Sequence, residues 1–361
     1  MRSHIRKVLI FAIGIALMVF VFRGAELDRV VSAIVSARLD FILLALLLTL
    51  AGYIVRAVRW CHLLAPIGIV GIGGALRATM IGFAVTAVFP GRLGEVVRPY
   101  VLARRERLIT GAVFGTVVVE RILDLIAILI IFGLAVVVFE PSFEKTDETI
   151  LGVINGVAAL SACGAICAFG VICAVARHPD YARRIAKMVT SSFSRRASSR
   201  IDNWMQDFFE GFSVTRQLKP LAWAMAWSLA LWCTIAAGLW LVSVSFGIHM
   251  PLVGSGVLLV LVAVGVAVPT PAGIGGYHAA YQFGATKLYG ASLEAAVGAG
   301  LVTHAISFLP VTVLGLVLLT QEGLRLHSVA NMALTKGDSR VPECDVSQQY
   351  DSDVNEGGRV R

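Results

Sequence analysis

Three charged side chains, Arg92, Glu95 and Arg98, occupy a turn-rich stretch, FPGRLGEVVRPY (residues 89–100), between two long apolar runs. Moving one charged side chain to the centre of a bilayer costs about 2.5–3.5 kcal/mol, so three of them cannot face lipid. Their i,i+3 spacings place all three on one face of a helix that begins near Gly91. The stretch therefore predicts a polar, broken segment that lines a cavity at membrane depth, as in transporters. A wet surface loop between two helices is the alternative.

The amino-acid composition is that of a membrane protein. Of the 361 residues, 57% are hydrophobic and only 15% are charged, which is typical of a polytopic helical membrane protein. The net charge of +8 does not indicate nucleic acid, because the lysines and arginines gather in a few loops, as the positive-inside rule expects. We expect a bacterial plasma (inner) membrane protein whose amino and carboxyl termini are both cytoplasmic.

Six apolar runs are long enough to be full spans: residues 5–22, 41–60, 109–139, 150–176, 221–246 and 292–319. Arg56, Arg59 and His62 end the second run at the inner surface, and the basic group 104–107 also belongs inside. The segment between these two groups must therefore enter the membrane and return, with its tip near residues 90–94. A complete helical hairpin whose tip lies outside is the alternative.

A second break, VPTPAGIGG (residues 268–276), interrupts the apolar run 252–289. Residues 89–94 can be laid on residues 270–275, and in this topology the two segments enter from opposite sides. The sequence thus predicts an all-α fold of six full spans plus two re-entrant helical hairpins in an inverted repeat, the commonest plan of secondary transporters.

We expect residues 1–320 to form one transmembrane domain. Its inner loop, residues 177–219, is basic and has aromatic residues at helical spacing, which is typical of an amphipathic helix on the inner leaflet. A helix packed under the bundle fits that spacing equally well. The polar tail, residues 321–361, has no periodicity, and we expect it to be disordered and cytoplasmic.

The third long run carries a second charged group. Arg121 can pair with Asp124 at i,i+3, whereas Glu120 and Asp124 share a face at i,i+4 and repel each other unless a cation lies between them. Arg92 or Arg98 could be that cation. A structural ion pair that locks two helices explains the same residues and is compatible with a functional role.

Both breaks have the features of an anion site. Half-helices that begin at residues 91–94 and 273–275 would point backbone N–H groups into the cavity, where they favour phosphate. Arginines add forked donors, so an anionic lipid head group could rest at mid-depth. His278 and His304 are candidate titrating groups, although a packed core histidine is the commoner case. The backbone sites expected at the two breaks are those of Gly91, Gly94, Gly273 and Gly275.

Motifs of soluble chemistry are missing from the sequence. It contains no GxxxxGK[ST], no HExxH and no recognisable Ser/His/Asp set. We therefore expect no enzymatic activity, no cofactor and no metal site. The expected partners are membrane lipids and not nucleic acid, and the oligomeric state is left open.

Four ordered motifs, FPGRLGEVVRPYVL, VVVERILDLIAI, PTPAGIGGYHAAY and HAISFLPVTVLGLVLL, resemble the lysylphosphatidylglycerol synthase transmembrane region, also called the UPF0104 or flippase-like family. The resemblance covers nearly all of residues 5–320. It implies a lipid flippase or transporter that moves an anionic or aminoacylated phospholipid, or a polyprenyl-phosphate-type lipid, between leaflets. The cavity residues that it implies are Arg92, Glu95, Arg98, Glu120, Arg121 and Asp124.

This chain departs from the family pattern in two ways. The family often has a Glu where this chain has His278, which leaves a carboxylate role there unsupported. The soluble aminoacyl-transferase domain of the bifunctional members is not found in these residues, so synthase activity is not implied. An accessory protein that docks a lipid- or glycan-synthesis enzyme through residues 177–219 is the alternative function.

Overall fold

The computed structural model describes residues 2–89, 92–143 and 204–322, with isolated positions between 152 and 170. This part of the chain is helical throughout and contains no strand, which confirms the predicted all-α membrane fold. Residues 90–91, most of the predicted span 150–176, most of the inner loop 177–219 and nearly all of the tail lie outside the described residues.

Two pairs of short helices form hairpins that pack against longer helices. In the first hairpin, α4 (Ile72–Val88) packs along α11 (Leu293–Gln321), and in the second, α10 (Gly276–Tyr289) packs against α11 as well. Two long helices, α3 (Leu39–Leu64) and α8 (Leu218–Ser245), pack along each other. Short 3₁₀ turns cover Ser213–Arg216, Leu252–Gly254 and Pro271–Gly273. The helices are α1 Arg2–Phe22, α2 Leu27–Ser36, α3 Leu39–Leu64, α4 Ile72–Val88, α5 Gly94–Glu106, α6 Thr110–Phe143, α7 at residues 204–210, α8 Leu218–Ser245, α9 Ser255–Ala267, α10 Gly276–Tyr289 and α11 Leu293–Gln321.

Among the described residues, four helices are long and apolar enough to cross a membrane: α3, α6, α8 and α11. They coincide with the predicted spans 41–60, 109–139, 221–246 and 292–319. The first predicted span reaches this criterion only together with α2, from which it is bent by 81°. Helices α4 and α9 are shorter apolar helices, as re-entrant segments require. The total of six spans and the orientation of the termini stay predictions.

The first broken hairpin, α4 and α5, is held together by two glycines at its crossing. A Cβ atom added to Gly82 would lie 2.7 Å from the Cβ of Arg98 and 3.0 Å from the carbonyl oxygen of Gly94. A larger residue at Gly82 would therefore push α5 away from α4. The crossing fixes where the Arg98 side chain leaves the helix.

The second broken hairpin, α9 and α10, uses the same device. A Cβ atom on Gly265 would lie 2.7 Å from the Cβ of Ala280, and the backbone of Gly276 is in direct contact with it. Between the helices, Ala272, Gly273 and Gly275 have positive φ angles of 52°, 71° and 87°. Both predicted breaks are thus real interruptions, while the inverted relation between the hairpins stays a prediction.

The described end of the inner loop packs against the bundle. A Cβ atom added to Gly111 of α6 would lie 2.7 Å from the Cβ of Asp207 and 3.1 Å from the backbone nitrogen of Phe208. The ring of Trp204 lies 6.4 Å from that of Phe114, between centroids. For α7, packing under the bundle is therefore the alternative that the structure supports.

Candidate functional site

Two carboxylates on α6 form the centre of a buried charge cluster. The side chains of Glu120 and Asp124 are 0% and 6% exposed, while Arg121, on the same helix, is 40% exposed. Arg121 Nη2 donates to Glu120 Oε1 at 2.7 Å, and its Nη1 lies 3.5 Å from Asp124 Oδ2. The predicted pairing of Arg121 with Asp124 is present in the structure.

Helix α3 supplies the cation that separates the two carboxylates. Arg59 is fully buried, with Nη2 2.9 Å from Glu120 Oε1 and Nη1 paired with Asp124. Arg56, one turn earlier, has Nη1 3.8 Å from Glu120 Oε1. Both arginines were interpreted as markers of the inner end of the span, and their burial in this cluster was not predicted. Their i,i+3 spacing beside Trp60, within an apolar helix, was the signal available in the sequence.

Helix α5 contributes Arg98, the one residue of the charged stretch 89–100 that is buried in the cluster. Its Nη1 donates to Glu120 Oε1 at 2.8 Å, and its guanidinium carbon lies 3.8 Å from the centre of the Trp60 ring. This cation–π contact holds the flat face of the guanidinium. Of the two cations proposed from the sequence, Arg92 and Arg98, only Arg98 contacts Glu120, and the cation between the two carboxylates is Arg59.

Neutral side chains hydrogen-bond to two members of the cluster and to Trp60 beside it. Trp232 Nε1 donates to Asp124 Oδ1 at 2.8 Å, and Arg59 Nη1 donates to Ser228 Oγ at 3.0 Å. Trp60 Nε1 donates to Thr116 Oγ1 at 3.1 Å. Because α8 supplies both Ser228 and Trp232, four helices (α3, α5, α6 and α8) determine the geometry of the cluster.

The cluster has more positive than negative charge. Four guanidinium groups (Arg56, Arg59, Arg98 and Arg121) face two carboxylates, which leaves a net charge of +2 on the described residues. All four guanidinium groups approach the single oxygen Glu120 Oε1. An uncompensated buried charge costs several kcal/mol, so the cluster is poised to accept an anion.

Arg92 and Glu95 form a rim outside the cluster. Helix α5 begins at Gly94 and not near Gly91, so Arg92 precedes it, with a φ angle of 56°. Its Nη1 lies 3.5 Å from Glu95 Oε1, and the two side chains are 46% and 43% exposed. The prediction of one helical face for all three residues was therefore wrong for Arg92, whereas Glu95 and Arg98 do lie in α5 at the predicted i,i+3 spacing. Arg92 Nη2 instead donates to the carbonyl of Val266 at 3.2 Å, which links the first break to the end of α9.

The two candidate histidines, His278 on α10 and His304 on α11, both contact the second break. The backbone N–H of Gly275 donates to His278 Nδ1 at 3.3 Å, and His304 Nε2 lies 3.0 Å from the carbonyl oxygen of Ala272. Their ring centres are 4.6 Å apart. Within the described part of the chain, no ion pair or hydrogen bond joins them to the arginine cluster. The histidines therefore stabilise the second break. Gly91, one of the predicted backbone sites, lies outside the described residues.

An apolar cavity of about 620 Å³ lies between α1 and the second break. Its walls include Phe11, Met18, Pro271 and Ile274, and Arg23 is the charged residue among those that line it. A volume of this size is typical of small-molecule sites, and an apolar lining suits a hydrocarbon chain.

Comparisons with known proteins agree with this architecture. A UPF0104 membrane protein of Methanocaldococcus jannaschii is 26% identical over 139 residues, which is 38% of this chain and 40% of that protein. Another, from Pyrococcus horikoshii, is 30% identical over 136 residues, 36% of this chain and 40% of the relative. The chain thus spans about 40% of the length of the curated relatives that it matches.

A family model covers far more of the chain. Residues 7–315 match the model described as the lysylphosphatidylglycerol synthase TM region. This range includes both broken hairpins and every residue of the charge cluster. The protein is therefore a membrane protein that belongs to the family of the lysylphosphatidylglycerol synthase transmembrane region.

Proposed function

We propose that the protein is a lipid flippase or transporter of a bacterial plasma membrane. It moves a lipid with a phosphate-bearing head group between leaflets and has no ATPase of its own. The head group passes the arginine cluster while the acyl chains stay in lipid. Broken helices at membrane depth are the usual way in which transporters expose polar groups to a substrate.

The observation that carries the proposal is the cluster with its net charge of +2, in which three of the four guanidinium groups are buried, built beside the first break from α3, α5 and α6. A cluster with a purely structural role gains no stability from surplus positive charge. The desolvation cost of a buried charge is offset only by a partner of opposite charge. A binding site for a transient anion does need this surplus. Intramembrane ionisable residues are functional candidates for the same reason.

The proposal is tested by reconstituting the full chain in phospholipid vesicles that contain a fluorescent phospholipid, with dithionite quenching as the measure of leaflet exchange. We expect faster exchange than in empty vesicles, and a loss of that gain in Arg121→Gln, whose side chain is only partly buried. Arg29→Gln is the matched control, because Arg29 is exposed on α2 and paired with Glu26. A wild-type protein that exchanges no lipid would overturn the proposal.

A further inference from the structure

Arg98 has one edge of its guanidinium group unused. Nη1 binds Glu120, and the flat face lies on Trp60. Nε and Nη2 are buried and have no hydrogen-bond partner in the described residues. These two N–H groups are parallel and form the fork that binds the two oxygens of a carboxylate or phosphate. The free edge is held in place by contacts on the other sides of the group.

The cluster to which Arg98 belongs is cationic as a whole. Arg56 Nε and Arg59 Nε are also buried without a hydrogen-bond partner among the described residues. Glu120 Oε2 and Asp124 Oδ2 are the opposite case, buried acceptors without a hydrogen-bond partner there, and by themselves they would suit an ammonium group. The net charge of the cluster favours an anionic ligand over an ammonium group, because four guanidinium groups outnumber two carboxylates.

We infer that the site takes the phosphate of a lipid whose head group is net negative, bound bidentately by Arg98, and rejects an aminoacylated head group. The inference deepens the proposed function and rests on it. An anionic head group neutralises part of the +2 charge. A lysyl head group, with a net charge of +1, would add to it, and like-charge juxtaposition costs several kcal/mol.

The inference is tested by lipid retention. The purified full chain is equilibrated in detergent with equal amounts of phosphatidic acid, phosphatidylglycerol, lysyl-phosphatidylglycerol and phosphatidylcholine, and the retained lipids are counted by native mass spectrometry. We expect the two anionic lipids to be retained about tenfold more than the other two, a ratio equivalent to about 1.4 kcal/mol. This ranking needs no variant. Equal retention of all four, or a preference for the lysyl lipid, overturns the inference.

The Arg98→Lys variant distinguishes bidentate hydrogen bonding by Arg98 from the effect of its positive charge. Lysine keeps the positive charge but cannot bind bidentately, so we expect the anionic preference to fall severalfold without vanishing, in a protein that circular dichroism shows to be folded. Arg29→Gln should keep the full preference. An Arg98→Lys protein that is folded and has the wild-type preference would assign the retention to surface arginines and overturn the inference.

Two further measurements separate the remaining cases. Inorganic phosphate, added alone, should not displace phosphatidic acid; displacement at comparable concentrations would identify a site for free anions and overturn the lipid assignment. The vesicle assay is run on the same preparation. Anionic preference without leaflet exchange refutes the transport proposal alone, whereas exchange with a preference for lysyl-phosphatidylglycerol refutes the inference alone.

Discussion

The two broken hairpins have the same backbone plan and opposite chemistry. In each, two short helices cross at a pair of glycines, Gly82 with Gly94 and Gly265 with Gly276. The first hairpin inserts Arg98 into an ion-pair cluster. The second is stabilised by contacts of His278 and His304 with its backbone. The glycine crossing thus fixes the backbone of each hairpin, whereas the side chains around it determine what the hairpin can bind.

The hairpins also differ in how their irregular backbone is held. In the second, Ala272 has a φ of 52°, a left-handed conformation that non-glycine residues rarely adopt. His304 Nε2 lies 3.0 Å from the carbonyl oxygen of this residue. In the first, Arg92 has a φ of 56° and reaches across to Val266 of the second hairpin. The first break thus depends on the other hairpin, and the second on α11.

Removing the carboxylate at the centre of the cluster should have the largest effect. Glu120→Gln leaves four guanidinium groups without their shared acceptor charge, so we expect the free energy of unfolding to fall by about 3–5 kcal/mol. Unfolding by sodium dodecyl sulfate, followed by circular dichroism, measures it. Glu95→Gln on the half-exposed rim is the control and should cost less than about 1 kcal/mol. Equal losses would mean that the cluster is not buried.

Glycine substitutions test whether the two crossings are equivalent. Gly82→Ala and Gly265→Ala should each cost about 1–3 kcal/mol, because each added Cβ meets atoms 2.7 Å away. Gly133→Ala on α6 is the control, since no neighbouring atom lies within 4 Å of its added Cβ, and it should not destabilise the protein. The same unfolding titration applies. A loss in one hairpin only would break the parallel between them.

His304→Phe tests the histidine contact that stabilises the second hairpin. The ring remains, but the contact with the Ala272 carbonyl is lost, so we expect a loss of about 1 kcal/mol in the free energy of unfolding. His249→Phe, at an exposed loop position, is the matched substitution and should be close to neutral. A loss as large as that of Glu120→Gln would show that the histidines belong to the charge cluster after all.

Arg92→Gln should change stability least. The Arg92 side chain is about half exposed, and exposed ion pairs contribute less than about 1 kcal/mol. If Arg92 couples the two breaks, the variant should still lower leaflet exchange in the vesicle assay while its unfolding curve stays near that of the wild type. An unchanged exchange rate would confine Arg92 to a structural contact.

Much of the site could be read from the sequence because its members lie close together along the chain. Glu120, Arg121 and Asp124 lie within about one helical turn. Proline and glycine residues mark both breaks in the sequence. Arg59 could not be placed in this way, because its partner Asp124 is 65 positions away. Positive-inside reasoning assigned it to the membrane surface, and only the packing of α3 against α6 and α8 shows that it is buried.

Local patterns in the chain are enough to identify a helical membrane protein with two interrupted hairpins, because apolar length and helix-breaking residues act locally. Tertiary structure decided which charges meet. Of the charged stretch around Pro90, it buried Arg98 and left Arg92 and Glu95 at the rim. The physical reason is that a buried charge is stable only beside a partner, and here the partners come from helices that no local pattern connects.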